Sequence, residues 1–394
     1  MHVLMLPSWY PRNDQDLSGS FFREQAQVLA DSGHRVGVLA ARVISVSDLH
    51  RQPLHRGVRW SVEGGVQVGR LDLVQGIPRA RTLEAVLACG RWGRVQWAAA
   101  DYIRHRGRPD VLHAHSLYPG GYLADALSRR WGIPWVLTEH RSLDHLHVLT
   151  PWGARREAHV VSHAAVRCGV STGHAEHLAR RFGRTGGRWE VVHNLVPDTP
   201  AIPRGLHPVG EPRIGHLSSL APVKRPDLVV GAFAAMTDRF PGARLAVGGP
   251  LGGATGQHVR TLVADSSAHG SVDLVGALAR EQVPVFLAGL DALLMPSDSE
   301  TFGVVMAEAL LQGTPVVSTP TWGARDVVGE GDGRIIAAGS GRPAEALAAA
   351  LVEVLGKDGD PAAAREARRQ RCLSRFGPEA FVTRCEQIWV EALR

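Results

Sequence analysis

Residues 293–320 read LLMPSDSETFGVVMAEALLQGTPVVSTP, and this stretch decides the fold. Leu293 to Met295 is an apolar run of strand length, followed by a polar turn. The periodicity then predicts a helix over about 302–312, ended by Gly313, and a second strand over 315–318. Strand, loop, helix and strand make the repeating unit of a parallel α/β sheet, whose ligands gather at the carboxyl edge of the strands. Two carboxylates, Glu300 and Glu308, stand eight residues apart. That is slightly over two helical turns, so both are expected to project to one side. The opening N–H groups, expected at Thr301, Phe302 and Gly303, point the way a phosphate would approach. Gly303 has no side chain to block it. The combination suits a ligand with a diphosphate, a cluster of sugar hydroxyls and a ribose.

The chain of 394 residues is long enough for two domains, and 44% apolar with 21% charged residues is ordinary for a soluble globular protein. Cys89, Cys168, Cys372 and Cys385 form no C-x2-C pair, which fits thiols in a reducing compartment. The opening MHVLMLP lacks the basic region of a signal peptide, and no apolar run reaches the roughly 18 residues of a membrane span. A cytoplasmic protein is expected. The net charge of +6 is uneven: residues 1–197 carry 25 basic and 16 acidic side chains, residues 198–394 carry 19 and 22. A basic first half suits an anionic acceptor, or peripheral contact with an anionic membrane face. It equally fits a composition biased to arginine, since only Lys224 and Lys357 are lysines. No basic cluster is interleaved with aromatics, so nucleic acid is not an expected partner.

Taken in order, a strand at 2–7, a loop, a helix at 21–32 stopped by Gly33 and a strand at 34–40 form a β–α–β start. Short strands, such as 66–73, are expected over 44–80. Residues 81–107 read as one helix or a broken pair. There Arg81, Arg91, Arg94, Arg104 and Arg106 mix with Leu83, Val86, Leu87, Trp92, Val95 and Trp97. Such a helix lies on an anionic membrane or packs on a sheet. Residues 109–140 read strand, loop, helix, strand, and alternation places His113 and His115 on one face. An H-x-H pair with His140 and His145 is a candidate metal set, but no matching carboxylate or cysteine accompanies it, and no metal is predicted. A loop and helix at 144–165, a strand at 166–171 and a helix at 173–182 follow. The Pro- and Gly-rich segment 198–212 reads as a linker. Beyond it lie strands at 213–217, 243–249 and 272–276, the organising stretch, and a last helix at 378–393.

The organising stretch resembles the E-x7-E signature of the retaining family-four glycosyltransferases, in its PS, its FG after the first Glu and its GTPVV. The strings SWYP…SGSFFREQAQVLADSGHRVGVL, HAH…YPGGY…GIPWVLTEH, VVHNLVP and HLSSLAPVKRPDLVVGAF are similar to further segments of the family. The resemblance implies an α/β protein of GT-B fold, two Rossmann-like domains facing across a cleft. Residues 1–197 would bind the acceptor, 198–212 would link, 213–376 would bind the nucleotide sugar, and the helix of 377–394 would pack back on the first domain. It implies transfer of a hexose-type sugar from a nucleotide diphosphate sugar, UDP before GDP, to a hydroxylated small molecule or lipid-linked glycan. Neither a metal nor a resident cofactor would be needed. By resemblance Glu300 faces the donor sugar, Glu308 holds the ribose hydroxyls, and the backbone of Thr301, Phe302 and Gly303 contacts sugar and phosphate. Gly19 would lie close to the phosphates or sugar, with Arg23 and His115 on the acceptor side and His140 near the reacting carbon. Lys224 matches the family's lysine beside the diphosphate. Ser219 stands where the family has an arginine, and Arg225 is a candidate to replace it. Gly248 and Val275 would meet the nucleotide through their backbones. Asn194-Leu195 departs from the usual Asn-Gly, and Trp322-Gly323 from a Gly-Gly pair. A sugar-nucleotide epimerase or hydrolase of the same fold is the alternative, and a non-catalytic sugar-binding protein a third reading.

Overall fold

The computed structural model describes all residues except 14–15, 17, 51–53, 56, 76–80, 144–150, 204–210, 340 and 357–360. The side chains of 75, 81–92 and 151–152 are also outside the description. His145, Lys357, the Cys89 thiol, much of the linker and the first half of the basic helix's side chains therefore fall outside the described residues. The chain divides into two compact units. One comprises Met1–Val170, His174–Leu195 and Val382–Arg394, the other Ser171–Gly173 and Val196–Phe381.

The first unit is built on β1 (His2–Pro7), α1 (Ser20–Asp31), β2 (Arg35–Ser45), β3 (Val58–Glu63), β4 (Val66–Gln75), α2 (Arg81–Arg106), β5 (Val111–His115), α3 (Tyr122–Trp131), β6 (Trp135–Glu139), α4 (Pro151–His163), β7 (Val166–Gly169), α5 (Thr172–Gly186) and β8 (Glu190–Val191). The strand order is β3-β4-β2-β1-β5-β6-β7-β8. Among the described residues only β3 and β4 pair antiparallel. Every residue of β1, β5 and β6 is buried, as expected of central parallel strands covered by helices on both faces. The basic segment is a single helix, not a broken pair. Its Val95, Ala98, Ala99 and Tyr102 join the core, while Trp97 is 54% exposed.

The second unit contains β9 (Arg213–Leu217), α6 (Pro226–Met236), β10 (Arg244–Gly248), α7 (Gly253–Ala264), β11 (Val272–Gly276), α8 (Gln282–Ala288), β12 (Ala292–Met295), α9 (Val304–Leu311), β13 (Val316–Ser318), α10 (Trp322–Val327), β14 (Gly333–Ile335), α11 (Pro343–Leu355) and α12 (Ala362–Phe376). Its sheet runs β11-β10-β9-β12-β13-β14, all in parallel. This is the doubly wound 3-2-1-4-5-6 order, with its reversal between β9 and β12. The first unit reverses likewise between β1 and β5. The last helix, α13 (Pro378–Ala392), buries Phe381, Val382, Cys385, Ile388, Trp389 and Ala392. That i, i+4, i+7 spacing is one apolar stripe, and from Val382 onward the helix belongs to the first unit.

Two differences from the sequence reading bear on function. The organising helix begins at Val304, because Gly303 takes a left-handed φ of 82° at its N-cap, a conformation that cannot continue a right-handed helix. Glu300 therefore lies in the loop, and helical spacing does not relate it to Glu308. The strand 34–40 is longer than expected, running to Ser45, since β4 pairs with it as far as Gln75.

Candidate functional site

Each unit places its candidate residues at its own switch point. In the first, the loop after β1 is fixed to the end of β5: Ser8 N–H donates to the His115 carbonyl at 3.0 Å, and Ser8 Oγ–H to that of Ser116 at 3.1 Å. Gly19 caps α1 with φ 78°, and a Cβ there would come within 2.9 Å of the Trp9 carbonyl oxygen. Trp9 packs edge-on to Phe22 at 5.2 Å and to His140 at 6.4 Å, and the Arg141 guanidinium lies over it at 4.4 Å.

His115 and His140 come together here. Nδ1 of His115 is 3.2 Å from Nε2 of His140, and both rings are buried. Burial holds both well below the ordinary histidine range, so both are neutral. Between them in the chain, Glu139 is fully buried. Its carboxylate accepts from the N–H of Leu117 at 2.6 Å, His140 at 2.8 Å and Arg141 at 2.9 Å. Desolvation still raises its pKa, with those donors opposing. Glu139 thus shapes the loop that presents His140. Arg23, in the first turn of α1, donates to the Asn13 carbonyl of the loop after β1 at 3.2 Å and pairs with Glu63 at 3.4 Å. The H-x-H pair is not arranged to chelate. The His113 and His115 rings stack at 4.3 Å, and both His113 nitrogens are engaged, with Thr138 and Trp389. Among the described residues no group of three or more His, Cys, Asp or Glu could hold a metal ion.

In the second unit the loops after β9 and β12 converge. Lys224 Nζ lies 2.6 Å from Glu300 Oε1, and Ser297 Oγ–H donates to the same oxygen at 3.0 Å. The Asp298 N–H donates to the Val223 carbonyl at 2.9 Å, so backbone as well as charge joins the two loops. Gly323 N–H donates to the Glu300 carbonyl at 2.9 Å, so the glycine of the Trp322-Gly323 pair helps to place Glu300. Gly303 opens α9, whose first-turn amides are those of Val304 and Val305 rather than Thr301 and Phe302. Phe302 is 1% exposed and packs edge-on to Phe376 at 5.3 Å. Glu308 is buried on α9 and ion-paired with Arg280.

Ser219 is exposed in the loop after β9. Arg225 does not stand free in its place. Its guanidinium meets Asp227 at 2.8 Å and Asp298 at 3.1 Å, two carboxylates against one cation. Gly248 ends β10 in a buried position, and Val275 on β11 is 43% exposed. The sequence does not single out His216, nor Arg280 and Ser297, which hold Glu308 and Glu300. His216 is fully buried at the end of β9, with Nδ1 at 2.8 Å from the Leu294 carbonyl and Nε2 at 2.7 Å from Ser218 Oγ. The carbonyl can only accept, so Nδ1 carries the proton and Ser218 O–H donates to Nε2. Ser218 Oγ in turn accepts from Leu220 N–H at 3.0 Å. This fixes the loop beside Lys224, and burial lowers the His216 pKa to about 4. Its signal was a histidine at a strand end, the same signal that marked His115.

Comparison with known proteins agrees with this arrangement. The profile described as "Glycosyl transferases group 1" matches residues 199–371, and that of the "Glycosyl transferase 4-like domain" matches 18–195. A D-inositol 3-phosphate glycosyltransferase of Pseudarthrobacter chlorophenolicus is 31% identical over 57% of this chain and 58% of its own length. The glycogen synthase of Mycobacterium tuberculosis is 28% identical over 73% of this chain and 70% of its own. The match spans 58% of the length of each of the first two curated relatives. Among solved structures, the sucrose-phosphate synthase of Thermosynechococcus elongatus superposes with a TM-score of 0.74 at 20% identity, over 99% of both chains. HepE of Anabaena in complex with UDP and glucose gives 0.69 at 16% identity, over 98% of this chain and 99% of its own. The parallel sheets, the two switch points and the two profiles, one on each half, agree: the chain belongs to the family-four glycosyltransferases of GT-B fold.

Proposed function

We propose that the chain transfers a hexose-type sugar from a nucleotide diphosphate sugar to a hydroxylated acceptor, with retention at the anomeric carbon. The observation that carries this reading is the Lys224–Glu300 pair at 2.6 Å, set beside the opening of α9 at the second unit's switch point. A departing diphosphate needs positive charge where its own charge develops. Lys224 and the helix amides supply it without a metal. Glu300, released from Lys224 by the phosphate, is left to accept from sugar hydroxyls. Glu308 holds the ribose, with Arg280 orienting it. The first unit receives the acceptor, with His140 toward the reacting carbon.

UDP is the preferred nucleotide, GDP the second. HepE has been solved with UDP and with UDP-glucose. The acceptor is a small hydroxylated molecule or a lipid-linked glycan, reached in the cytoplasm or at the inner face of the membrane. No described helix is long and apolar enough to cross one. The test is a thermal-shift screen against UDP, GDP, ADP and dTDP and their sugar conjugates, then product analysis with the donor that binds. A ligand at 100 times its Kd adds roughly 2.7 kcal/mol of stability, which is readily seen. A shift with one nucleotide and an α-configured product from an α-configured donor is expected. No shift with any of them would overturn the reading.

A further inference from the structure

The histidine pair of the first unit rests on a residue from the far end of the chain. Trp389 is fully buried on α13. Its indole Nε1 lies 3.3 Å from Nδ1 of His113, and the rings meet nearly perpendicular, at 84° and 6.1 Å. An indole N–H donates and never accepts, so Nδ1 of His113 is the acceptor. The His113 proton is then on Nε2, which donates to Thr138 Oγ1 at 2.9 Å. Thr138 is registered opposite Cys168 on β7, and its hydroxyl is left to donate to that buried thiol. Every atom of His113 that can bear or take a proton is thereby assigned, and the ring is neutral.

His113 stacks on His115 at 4.3 Å with 28° between planes. A charge on His113 would face His115 and, beyond it, His140. Nε2 of His115 is buried with no hydrogen-bond partner among the described residues. A buried N–H without an acceptor is costlier and rarer than a buried lone pair without a donor; the far nitrogen of His140 has the Asn194 side chain to meet its proton, so the pair is satisfied with the His140 proton there and the His115 proton on Nδ1. From there it is given to Nε2 of His140, 3.2 Å away. Other groups also face the stack. Glu139 is held by its three backbone donors, and Arg141 and His174 lie on the His140 side, both disfavouring a proton there. Behind Trp389, His34 meets the ring edge-on at 5.3 Å and pairs with Glu386 at 3.0 Å.

We propose that Trp389 is a positioning residue for the transfer reaction: its indole N–H fixes the neutral tautomer of His113, and the stacked His113 ring holds His115 neutral and aimed to donate to His140. The kinetic part of this inference rests on the proposed transferase reading; the tautomer part does not.

The test uses the full chain labelled with ¹⁵N-histidine, with His113→Gln to assign its signals. Long-range ¹H–¹⁵N spectra of the wild type at pH 7 are expected to show His113 protonated on Nε2 alone, unchanged down to pH 5. Trp389→Phe keeps the ring and removes the donor. In it His113 is expected to lose the single tautomer or to titrate between pH 5 and 7. With the donor found by the nucleotide screen, Trp389→Phe is expected to lower kcat about tenfold with donor KM within twofold, the loss growing toward pH 5.5. Trp389→His, which can restore a ring N–H donor, should recover part of it. A His113 that is Nδ1-protonated in the wild type, or unchanged in Trp389→Phe, overturns the tautomer assignment. A kcat loss equal at every pH, with no recovery in Trp389→His, overturns the positioning role. A wild type with no transfer activity but the expected spectra would instead refute the transferase reading.

Discussion

Replacing Lys224 by alanine separates two jobs that the structure gives to one side chain. Its ammonium pairs with Glu300, and in the proposed function it is the cation that meets the leaving diphosphate. The pair is 2.6 Å long, with the two side chains 21% and 11% exposed. Exposed pairs contribute about 0–1 kcal/mol and breaking a buried one costs about 3–5 kcal/mol. This pair lies between those limits, so Lys224→Ala should destabilise by about 2 kcal/mol, or roughly 4–8 °C for a unit of this size. Turnover should fall on the order of 100-fold or more, the usual effect of removing one preorganised donor from a developing anion. The assay is the initial rate of nucleotide release with saturating donor and acceptor, beside a melting curve of the same preparation. Lys224→Ala/Glu300→Gln decides between the jobs. If Lys224 serves mainly to neutralise Glu300, the double variant recovers both stability and rate. If it stabilises the leaving diphosphate, stability returns and the rate does not. A Lys224→Ala enzyme within a few-fold of wild-type turnover, or a double variant with restored turnover, would refute the reasoning.

Further outcomes are expected at other positions. Glu308→Ala should weaken binding of the free nucleoside diphosphate by about 10- to 100-fold, the value of a charged hydrogen bond to the ribose; calorimetry showing unchanged affinity removes the ribose role. Gly19→Ala must take a left-handed backbone and put its methyl 2.9 Å from the Trp9 carbonyl oxygen, at a cost of about 1–3 kcal/mol. Its melting temperature should drop by several degrees, and an unchanged one would mean that the loop relaxes freely. Stability should also fall with acid. The pKa of His216 is lowered to about 4 and that of His113 to about 3 by burial. The unfolded chain, with histidines near 6.5, then binds more protons than the folded one below that pH. Each group should cost about 2 kcal/mol between pH 7 and pH 5. Urea midpoints that do not fall over that range contradict neutral burial, and His216→Asn should flatten the slope.

The two parallel sheets were legible in the sequence because short apolar runs alternate with helices bounded by Gly and Pro. Of the candidate site, the sequence marks the residues that come together where residue type and place coincide, as for Lys224 with Glu300 and for the strand-end histidines. What stayed hidden depends on backbone detail or on distance along the chain. A pattern of apolar residues cannot say that Gly303 turns left-handed and delays the helix, so Glu300 was read as part of a helical face it does not join. Glu139 sits at the end of an apolar strand, and nothing local tells that three amides converge on it. Trp389 has the spacing of an ordinary core stripe with Phe381, Cys385, Ile388 and Ala392. Only the fold shows that its N–H meets a histidine some 276 positions away. Nor does the sequence show that Arg225, a cation in the expected loop, is met by Asp227 and Asp298.

The two switch points differ in electrical character, and the difference fits a division of labour. In the first unit the groups nearest the strand ends are neutral rings and a carboxylate capped by amides, with one cation, Arg141, held over Trp9. Such a surface suits hydroxyls, recognised through directed hydrogen bonds. In the second unit the groups are compensated ion pairs, Lys224 with Glu300, Arg280 with Glu308 and Arg225 with Asp227 and Asp298. A compensated pair is a stable resting state that can be redirected. Under the proposed function an incoming diphosphate would replace the carboxylate on Lys224, and the sugar's hydroxyls the ammonium on Glu300, so that neither charge is left uncovered. The exchange costs little only if both ligand groups arrive together. A nucleoside monophosphate, or a sugar alone, would strand one member of the pair. Free sugar should therefore bind weakly by itself and markedly better in the presence of the diphosphate. Equal sugar affinity with and without the nucleotide, measured by titration, would show that Lys224 and Glu300 are not exchanged in concert.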